Sequence, residues 1–174
     1  VKMIICADDD YVIGQIEESV PECPSIKYLA KVGKKLDGWI DYTEAYKDQS
    51  DVFERPTGED AVSCNDLMLM YFTSGTTGMP KVVQHVQSYP LGHILTAKYW
   101  QQVKNNGLHL TVSDSGWAKF SWGKIYGQWI CGSAIMGYDM DKFVSEKLLR
   151  VIEKYKVTTF CAPATMYRFM IKED

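Results

Sequence analysis

The chain has 174 residues, 46% of them hydrophobic and 13% aromatic, and a formal net charge of −3 at pH 7. This size and composition predict a globular domain that buries about 70% of its unfolded surface and exclude a disordered chain. The mixed charges exclude a basic nucleic-acid-binding surface, and no apolar run approaches the ~20 residues that span a bilayer.

Short apolar runs alternate with helical stretches from the first residues onward, which predicts an α/β fold. We expect two segments, 1–66 and 67–174, because charge, proline and glycine become more frequent in the stretch before residue 67. Three consecutive aspartates at 8–10 cannot all face one metal ion from regular structure, so we interpret them as a solvated turn. In the first segment the predicted strands are 2–6 and 25–32, and the predicted helical stretches are 11–20 and 42–49.

The second segment opens with an unbroken apolar run, 67–72, which predicts a buried strand leading into a polar loop. In that loop, glycines allow a sharp turn, hydroxyls donate hydrogen bonds and a lysine adds positive charge, a combination that suits a phosphate. The spacing Gly-x-x-Gly-x-x-Lys differs from the Walker loop. A glycine- and threonine-rich hairpin without a ligand is the alternative. The loop consists of Thr73, Ser74, Gly75, Thr76, Thr77, Gly78, Met79, Pro80 and Lys81.

Beyond the loop the alternation of strands and helices continues. The predicted strands are 81–84, 108–112, 134–138 and 157–161, and the predicted helices are 88–105, 121–130, 142–155 and a last one from Pro163. The first of these helices is expected to bury Leu91, Ile94, Leu95 and the stem of Lys98. The second carries an aromatic stripe of Trp122, Tyr126 and Trp129. The third is expected to start at a cap on Asp139 or Asp141 and to bury Val144, Leu148, Val151, Ile152 and Tyr155.

A turn at 114–116 follows the strand 108–112, and active-site residues of open α/β sheets commonly lie after a strand. Three tryptophans and a tyrosine follow within 13 residues and could wall an apolar pocket, although ordinary core packing is the alternative. We interpret His85 as structural, and neither His93 nor His109 has a partner that the sequence identifies.

The five cysteines are odd in number and widely scattered, without a Cys-x-x-Cys pair. This pattern argues against a zinc site or a disulfide framework. Reduced thiols are typical of a cytosolic protein, so we expect a cytoplasmic location.

The string Thr73–Lys81, together with the turn Asp114-Ser115-Gly116-Trp117, resembles the AMP-forming acyl-adenylate synthetases, and most of all the medium-chain and short branched-chain acyl-CoA synthetases. The resemblance implies a partial sheet-and-helix fragment of the large N-terminal domain of such an enzyme. It implies ATP, Mg²⁺, coenzyme A and a carboxylic acid as ligands, with ATP phosphates on the loop. It further implies an acyl pocket formed by Trp117, Lys119, Trp122 and Cys161, with Trp122 limiting acyl length and Lys119 near the acyl phosphate.

The same resemblance implies what the chain does not contain. Family members carry a Tyr-x-x-Thr-Glu run for Mg²⁺, a Thr-Gly-Asp run for ribose and a C-terminal domain with the adenylation lysine, and these 174 residues have none of them in the right order. We therefore expect a fragment that is inactive alone, holds no metal and exposes apolar surface, which allows a homo-oligomer. Two alternatives stay open: an enzyme that loads a carrier protein or resembles luciferase, and a non-catalytic nucleotide-binding module.

Overall fold

The computed structural model describes residues 1–75, 78–140 and 142–172. The chain forms two compact units, Val1–Gly58 and Glu59–Asp174, each with its own sheets. Strands and helices alternate in both units, which confirms the predicted α/β fold.

The first unit is built on a parallel three-stranded sheet in the order β1–β2–β3, with strands Met3–Cys6, Tyr28–Lys31 and Ile40–Asp41. Helix α1, Asp10–Ser19, connects β1 to β2, as parallel neighbours require a crossover. A single helical turn, α2, Tyr42–Ala45, follows β3. Strands β1 and β2 and both helices were predicted, whereas β3 is only two residues long and carries no periodic pattern.

The three aspartates after β1 have separate roles. Asp8 Oδ1 lies 2.6 Å from Nζ of Lys31, whose side chain is buried. This hydrogen bond lowers the pKa of the Asp8 carboxyl. Asp9 Oδ1 accepts the Val12 N–H at 3.0 Å and so caps α1, which begins at Asp10. All three aspartates are exposed, as the prediction of a solvated turn expected, and Asp8 in addition neutralises a buried lysine.

The second unit contains an antiparallel hairpin of β4, Leu67–Thr73, and β5, Lys81–Val86. The prediction of a buried strand before the loop is wrong, because β4 exposes much of its apolar side-chain surface and Phe72 is 75% exposed. An antiparallel pair can leave a face uncovered, and an apolar run does not distinguish that arrangement from a buried parallel strand.

The other sheet of the second unit is parallel. Its strands are β6, Leu108–Thr111, β7, Ala134–Ile135, and β8, Thr159–Cys161, in the order β7–β6–β8. The chain leaves the central strand β6 to form β7 on one side and then crosses to form β8 on the other. Ligands of open parallel sheets bind beyond the carboxyl ends of the strands where the order reverses, so the segment after β6 is in the expected position.

Helical segments connect these strands. They are α3, Tyr89–Leu95, α4, Ala118–Phe120, α5, Gly127–Ile130, α6, Ser145–Lys154, and α7, Ala164–Lys172. Two stretches have π-helical geometry, which the sequence did not predict: Thr96–Trp100 continues α3, and Ser121–Tyr126 joins α4 to α5. We call the second stretch the π-turn.

Several details of the predicted helices are wrong. Leu91 and Leu95 of α3 are exposed, whereas Ala97 in the π-helical continuation is wholly buried. The aromatic stripe fails at Trp129, which is exposed, because the π-turn adds a residue to the helix and shifts the face that follows.

Helix α6 also differs from its prediction. The residue at its N-cap is Val144, which offers no side-chain cap in place of Asp139, and Asp141 lies outside the described residues. Tyr155, which was expected to be buried, is exposed.

The core of the second unit lies between β6 and α6, where Leu110, Val112 and Leu148 are buried against one another. Among the residues described, we find no helix that is both long enough and apolar enough to cross a membrane.

Candidate functional site

The predicted phosphate loop joins the two strands of the β4–β5 hairpin. Thr73 pairs with Lys81 across the ladder, and the Thr73 hydroxyl donates to the Lys81 carbonyl at 3.4 Å. Gly75 and Gly78 have φ values of 57° and 88°, which side-chain-bearing residues rarely adopt. A Cβ on Gly75 would overlap the Met79 carbonyl oxygen, so the loop closes on itself at a point that admits only glycine.

The described side chains of this loop are accessible. Thr76 and Thr77 lie outside the described residues. The loop residues that are exposed are Thr73, Ser74, Gly78, Met79, Pro80 and Lys81. A tight turn that exposes hydroxyls and an ammonium can receive an anionic ligand without rearrangement of its flanking strands.

The turn after β6 is held by Asp114. Its Oδ1 accepts the Gly116 N–H at 2.7 Å, and its carbonyl accepts the Trp117 N–H at 3.1 Å. The side chain of Asp114 thus shapes the turn that leads into α4, and Trp117 is left 71% exposed at its end. The sequence predicted a site at this turn, and the structure gives the aspartate a positioning contact within it.

A cavity of about 280 Å³ lies between this turn and the start of α7. Trp117 and Lys119 both line it, so the structure brings these two predicted pocket residues together. The remaining lining residues are Val112, Ser113, Asp114, Pro163 and Met166.

The other two predicted pocket residues lie outside that lining. Cys161 is buried in β8 opposite Thr111, and its carbonyl accepts the Val112 N–H at 2.8 Å, so it supports the cavity wall through the backbone. Trp122 is in the π-turn, where its ring stacks on His93 at a centroid distance of 5.6 Å and an interplanar angle of 20°.

Aromatic rings form a continuous column from the hairpin to the π-turn. Neighbouring ring centroids in the column are 3.9 to 5.6 Å apart. Burial lowers the pKa of His93 and raises the pKa of Tyr89 to about 12. The column gives His85 and His93 packing partners that the sequence did not identify. Its members, in order, are Tyr71, His85, Tyr89, His93 and Trp122.

A second cavity, of about 560 Å³, lies on the other side of Asp114 and is lined in part by Lys124. Lys124 is 5% exposed, and its Nζ lies 4.8 Å from the centroid of the Phe120 ring. Burial lowers the pKa of this ammonium. Sequence reasoning missed Lys124, because nothing in the pattern distinguishes a buried lysine from one on a solvated helix face.

The sequence identified no partner for His109, and the structure supplies two. Its ring is wholly buried, with Nδ1 2.8 Å from Thr159 Oγ1 and Nε2 2.8 Å from Thr111 Oγ1. The position of His109 between Leu108 and Leu110 indicates that it lies in a strand. The sequence could not reveal its partner Thr159, because that residue is 50 positions further along the chain. In the described ranges, no three metal-binding side chains come close enough to hold an ion.

Comparisons with known proteins agree with this geometry. The family model described as "AMP-binding enzyme" matches residues 1–174. The human mitochondrial acyl-coenzyme A synthetase ACSM4 is 33% identical over 175 residues, covering 99% of this chain and 29% of that protein. The rat mitochondrial acyl-coenzyme A synthetase ACSM3 is 34% identical over 168 residues, covering 95% of this chain and 28% of that protein.

The crystal structure of an acyl-CoA synthetase from Brucella canis has a TM-score of 0.79 at 21% identity, covering the whole of this chain and 30% of that one. At this identity the likeness supports the fold alone, and it agrees with the predicted part of an acyl-adenylate-forming enzyme. The chain thus spans less than a third of the length of these relatives.

The comparisons also correct one prediction. Both curated relatives are named as mitochondrial, so the expected cytoplasmic location is wrong. Scattered reduced cysteines exclude a disulfide framework, but they do not distinguish one reducing compartment from another.

Proposed function

The chain belongs to the family of AMP-binding enzymes, and from this premise we propose that the whole protein is an AMP-forming acid–CoA ligase. In the first step, the carboxylate of the acid attacks the α-phosphate of ATP, which gives an acyl-adenylate and pyrophosphate. In the second step, the thiol of coenzyme A attacks the acyl carbonyl, AMP leaves and a thioester forms.

The observation that carries this proposal is the closed turn of the phosphate loop, in which Gly75 admits no side chain beside the Met79 carbonyl. In such a turn the backbone can approach a phosphate closely. Thr73, Ser74 and Lys81 are exposed next to it and would donate to the β- and γ-phosphates. Their contribution is to position the triphosphate and to neutralise charge as pyrophosphate leaves.

The proposed acid site is the cavity that contains Trp117 and Lys119. Its volume of about 280 Å³ is at the small end of ligand pockets, which favours a short- or medium-chain acid. Lys119 would hold the carboxylate near the α-phosphate. The family resemblance implies that Trp122 limits acyl length and that Cys161 lines the opposite wall; both residues lie outside the lining of this cavity, so their roles rest on the resemblance alone. A tryptophan wall rejects longer acids by steric exclusion.

Mg²⁺ is a cofactor of the proposed reaction, but the described residues contain no group of ligands that fits it. The family resemblance implies that the groups that would hold it lie in parts of the whole protein outside this chain. We further propose that residues 1–174 are inactive alone and that segments 1–66 and 67–174 are part of one larger domain, as the family resemblance implies. A mitochondrial location and a homo-oligomer are further elements of the proposal.

The test is acid-dependent ATP–pyrophosphate exchange by the whole protein, with acids of two to twelve carbons and the 174-residue chain as the control. We expect exchange that peaks at short or medium acids and none from the chain alone. Dependence of AMP release on coenzyme A separates the ligase from an enzyme that loads a carrier protein. Absence of exchange with every acid would favour a nucleotide-binding module.

A further inference from the structure

One backbone carbonyl of the π-turn collects several side-chain donors. The Gly123 oxygen accepts from Thr111 Oγ1 at 2.6 Å, from Gln101 Nε2 at 2.8 Å and from Gln128 Nε2 at 3.0 Å. His109 Nε2 is 3.2 Å away. The donors come from β6, from the end of the π-helical continuation of α3 and from α5. We call this carbonyl and its four neighbours the Gly123 hub.

The hub is buried, and its contacts are therefore costly to lose. Gln128 and His109 are wholly buried and Thr111 is 2% exposed. A buried donor that loses its acceptor costs free energy, so the donors to Gly123 favour one arrangement of the surrounding chain. Gln128 Oε1 is itself buried without a hydrogen-bond partner among the described residues, so the network is not fully satisfied. The hub thus has the burial and connectivity expected of a device that fixes backbone geometry.

The hydrogen bonds of the hub have a consistent direction. Burial lowers the pKa of His109, so its ring is neutral at pH 7 and has one N–H donor. Since Thr111 donates its hydroxyl to Gly123, its oxygen is free to accept from His109 Nε2–H. His109 Nδ1 then accepts from the Thr159 hydroxyl. One tautomer therefore satisfies the chain of contacts from β8 through β6 to the π-turn.

The segment that the hub contacts has π-helical geometry in place of α-helical geometry. π-helical turns are rare and are found mostly at functional positions. Reversion of Ser121–Tyr126 to α-helix would turn one end of the segment relative to the other by about 100°, the rotation of one residue. Trp122, which stacks on His93, and Lys124, which lines the larger cavity, would then change their positions.

We infer that the Gly123 hub holds the π-turn in place and thereby sets the acyl-chain selectivity of the enzyme through the position of Trp122. Gln101, His109, Thr111 and Gln128 are positioning residues in this scheme, because they act on the acid through the backbone that carries the tryptophan. The inference rests on the proposed function for the selectivity, and on the structure alone for the fixing of the turn.

Two threonines provide a matched test, because each has a hydroxyl that contacts His109 and only Thr111 contacts Gly123. In the whole protein, we expect Thr111→Val to change the ratio of kcat/KM between the preferred acid and one two carbons longer by about tenfold. The KM for ATP should change less than twofold. Thr159→Val should leave the ratio as it is, and Thr111→Ser should restore it.

Hydrogen exchange supplies a readout that is independent of activity. Amides of residues 121–127 should lose protection in Thr111→Val and in Gln101→Met, but not in Thr159→Val. Unchanged protection in both Thr111→Val and Gln101→Met would overturn the inference. Equal changes in the KM values for acid and for ATP in Thr111→Val would also overturn it. Absence of acid-dependent exchange in the wild type would instead overturn the proposed function, and the selectivity with it. If Thr111→Val does not fold, Gln101→Met, which alters a half-buried side chain, decides the outcome.

Discussion

The β4–β5 hairpin and the β7–β6–β8 sheet with its helices hold their candidate ligand groups in opposite ways. In the hairpin, the loop shape depends on residues within a stretch of nine, and the critical approach is that of Gly75 to Met79. Around the sheet, the π-turn depends on contacts such as that of Gln101 Nε2 with the Gly123 carbonyl, 22 residues apart. Local sequence determines the first site, and tertiary packing determines the second.

The largest effect should come from breaking the locally determined site. We expect Gly75→Ala in the whole protein to lower kcat/KM for ATP by about 100-fold, because the loop must open to relieve the overlap with Met79 and its donors then lose their positions. Gly78→Ala is the matched control, since its added Cβ meets open space and only the positive φ opposes it. Steady-state kinetics at varied ATP checks both, and equal losses would contradict a locally closed loop.

The second largest effect is expected where tertiary packing determines the structure, at the contact between α5 and α3. The Cβ of Gly127→Ala would overlap the His93 carbonyl and lie 2.7 Å from Ala97 Cβ, where α5 packs on α3 and its continuation. We expect the free energy of unfolding to fall by about 3 kcal/mol, the upper range for overpacking. Gly92→Ala in α3 meets nothing within 4 Å and should gain up to about 1 kcal/mol from helix propensity. Urea unfolding of the whole protein measures both, and a tolerated Gly127→Ala would contradict the close packing.

A smaller effect is expected at the buried lysine beside the π-turn. Lys124→Met retains much of the volume and removes a desolvated charge, so the variant should gain about 1 kcal/mol at pH 7. Burial lowers the folded-state pKa of Lys124 below its usual 10.5, so the unfolded chain binds more protons between these two values. Wild-type stability therefore rises with pH across that interval, and the advantage of the variant shrinks there.

The exposed Lys147 on α6 supplies the control for that experiment. Lys147→Met should change stability little and show no such dependence on pH. Thermal unfolding of the whole protein at several pH values between 7 and 10.5 makes the comparison. A loss of stability in Lys124→Met at pH 7 would mean that the ammonium makes a favourable contact in the larger cavity.

The contrast between the two sites also explains what the sequence could predict. The order of strands and helices followed from the alternation of apolar runs and helical stretches. The loop was recognisable because its glycines, hydroxyls and lysine all lie within a run of nine residues. The π-turn was not recognisable, since no residue pattern marks an inserted residue, and the burial of Trp129 was mispredicted for that reason. The partners of His109 and the burial of Lys124 depend on residues distant in sequence, which a single chain does not reveal.

The smallest effect is expected at the turn after β6, where Asp114 lines both cavities. Asp114 holds this turn through a local hydrogen bond to Gly116, two residues further along the chain. We expect Asp114→Ala to raise the KM for the acid about fivefold, since one hydrogen bond to the Gly116 N–H is lost and Trp117 is held less firmly. Asp114→Asn retains an oxygen in the same position and should stay within twofold of the wild type. Kinetics at varied acid and saturating ATP separates the two variants. If Asp114→Asn were as impaired as Asp114→Ala, the negative charge of Asp114 would matter beyond the turn, and this site too would depend on its tertiary surroundings.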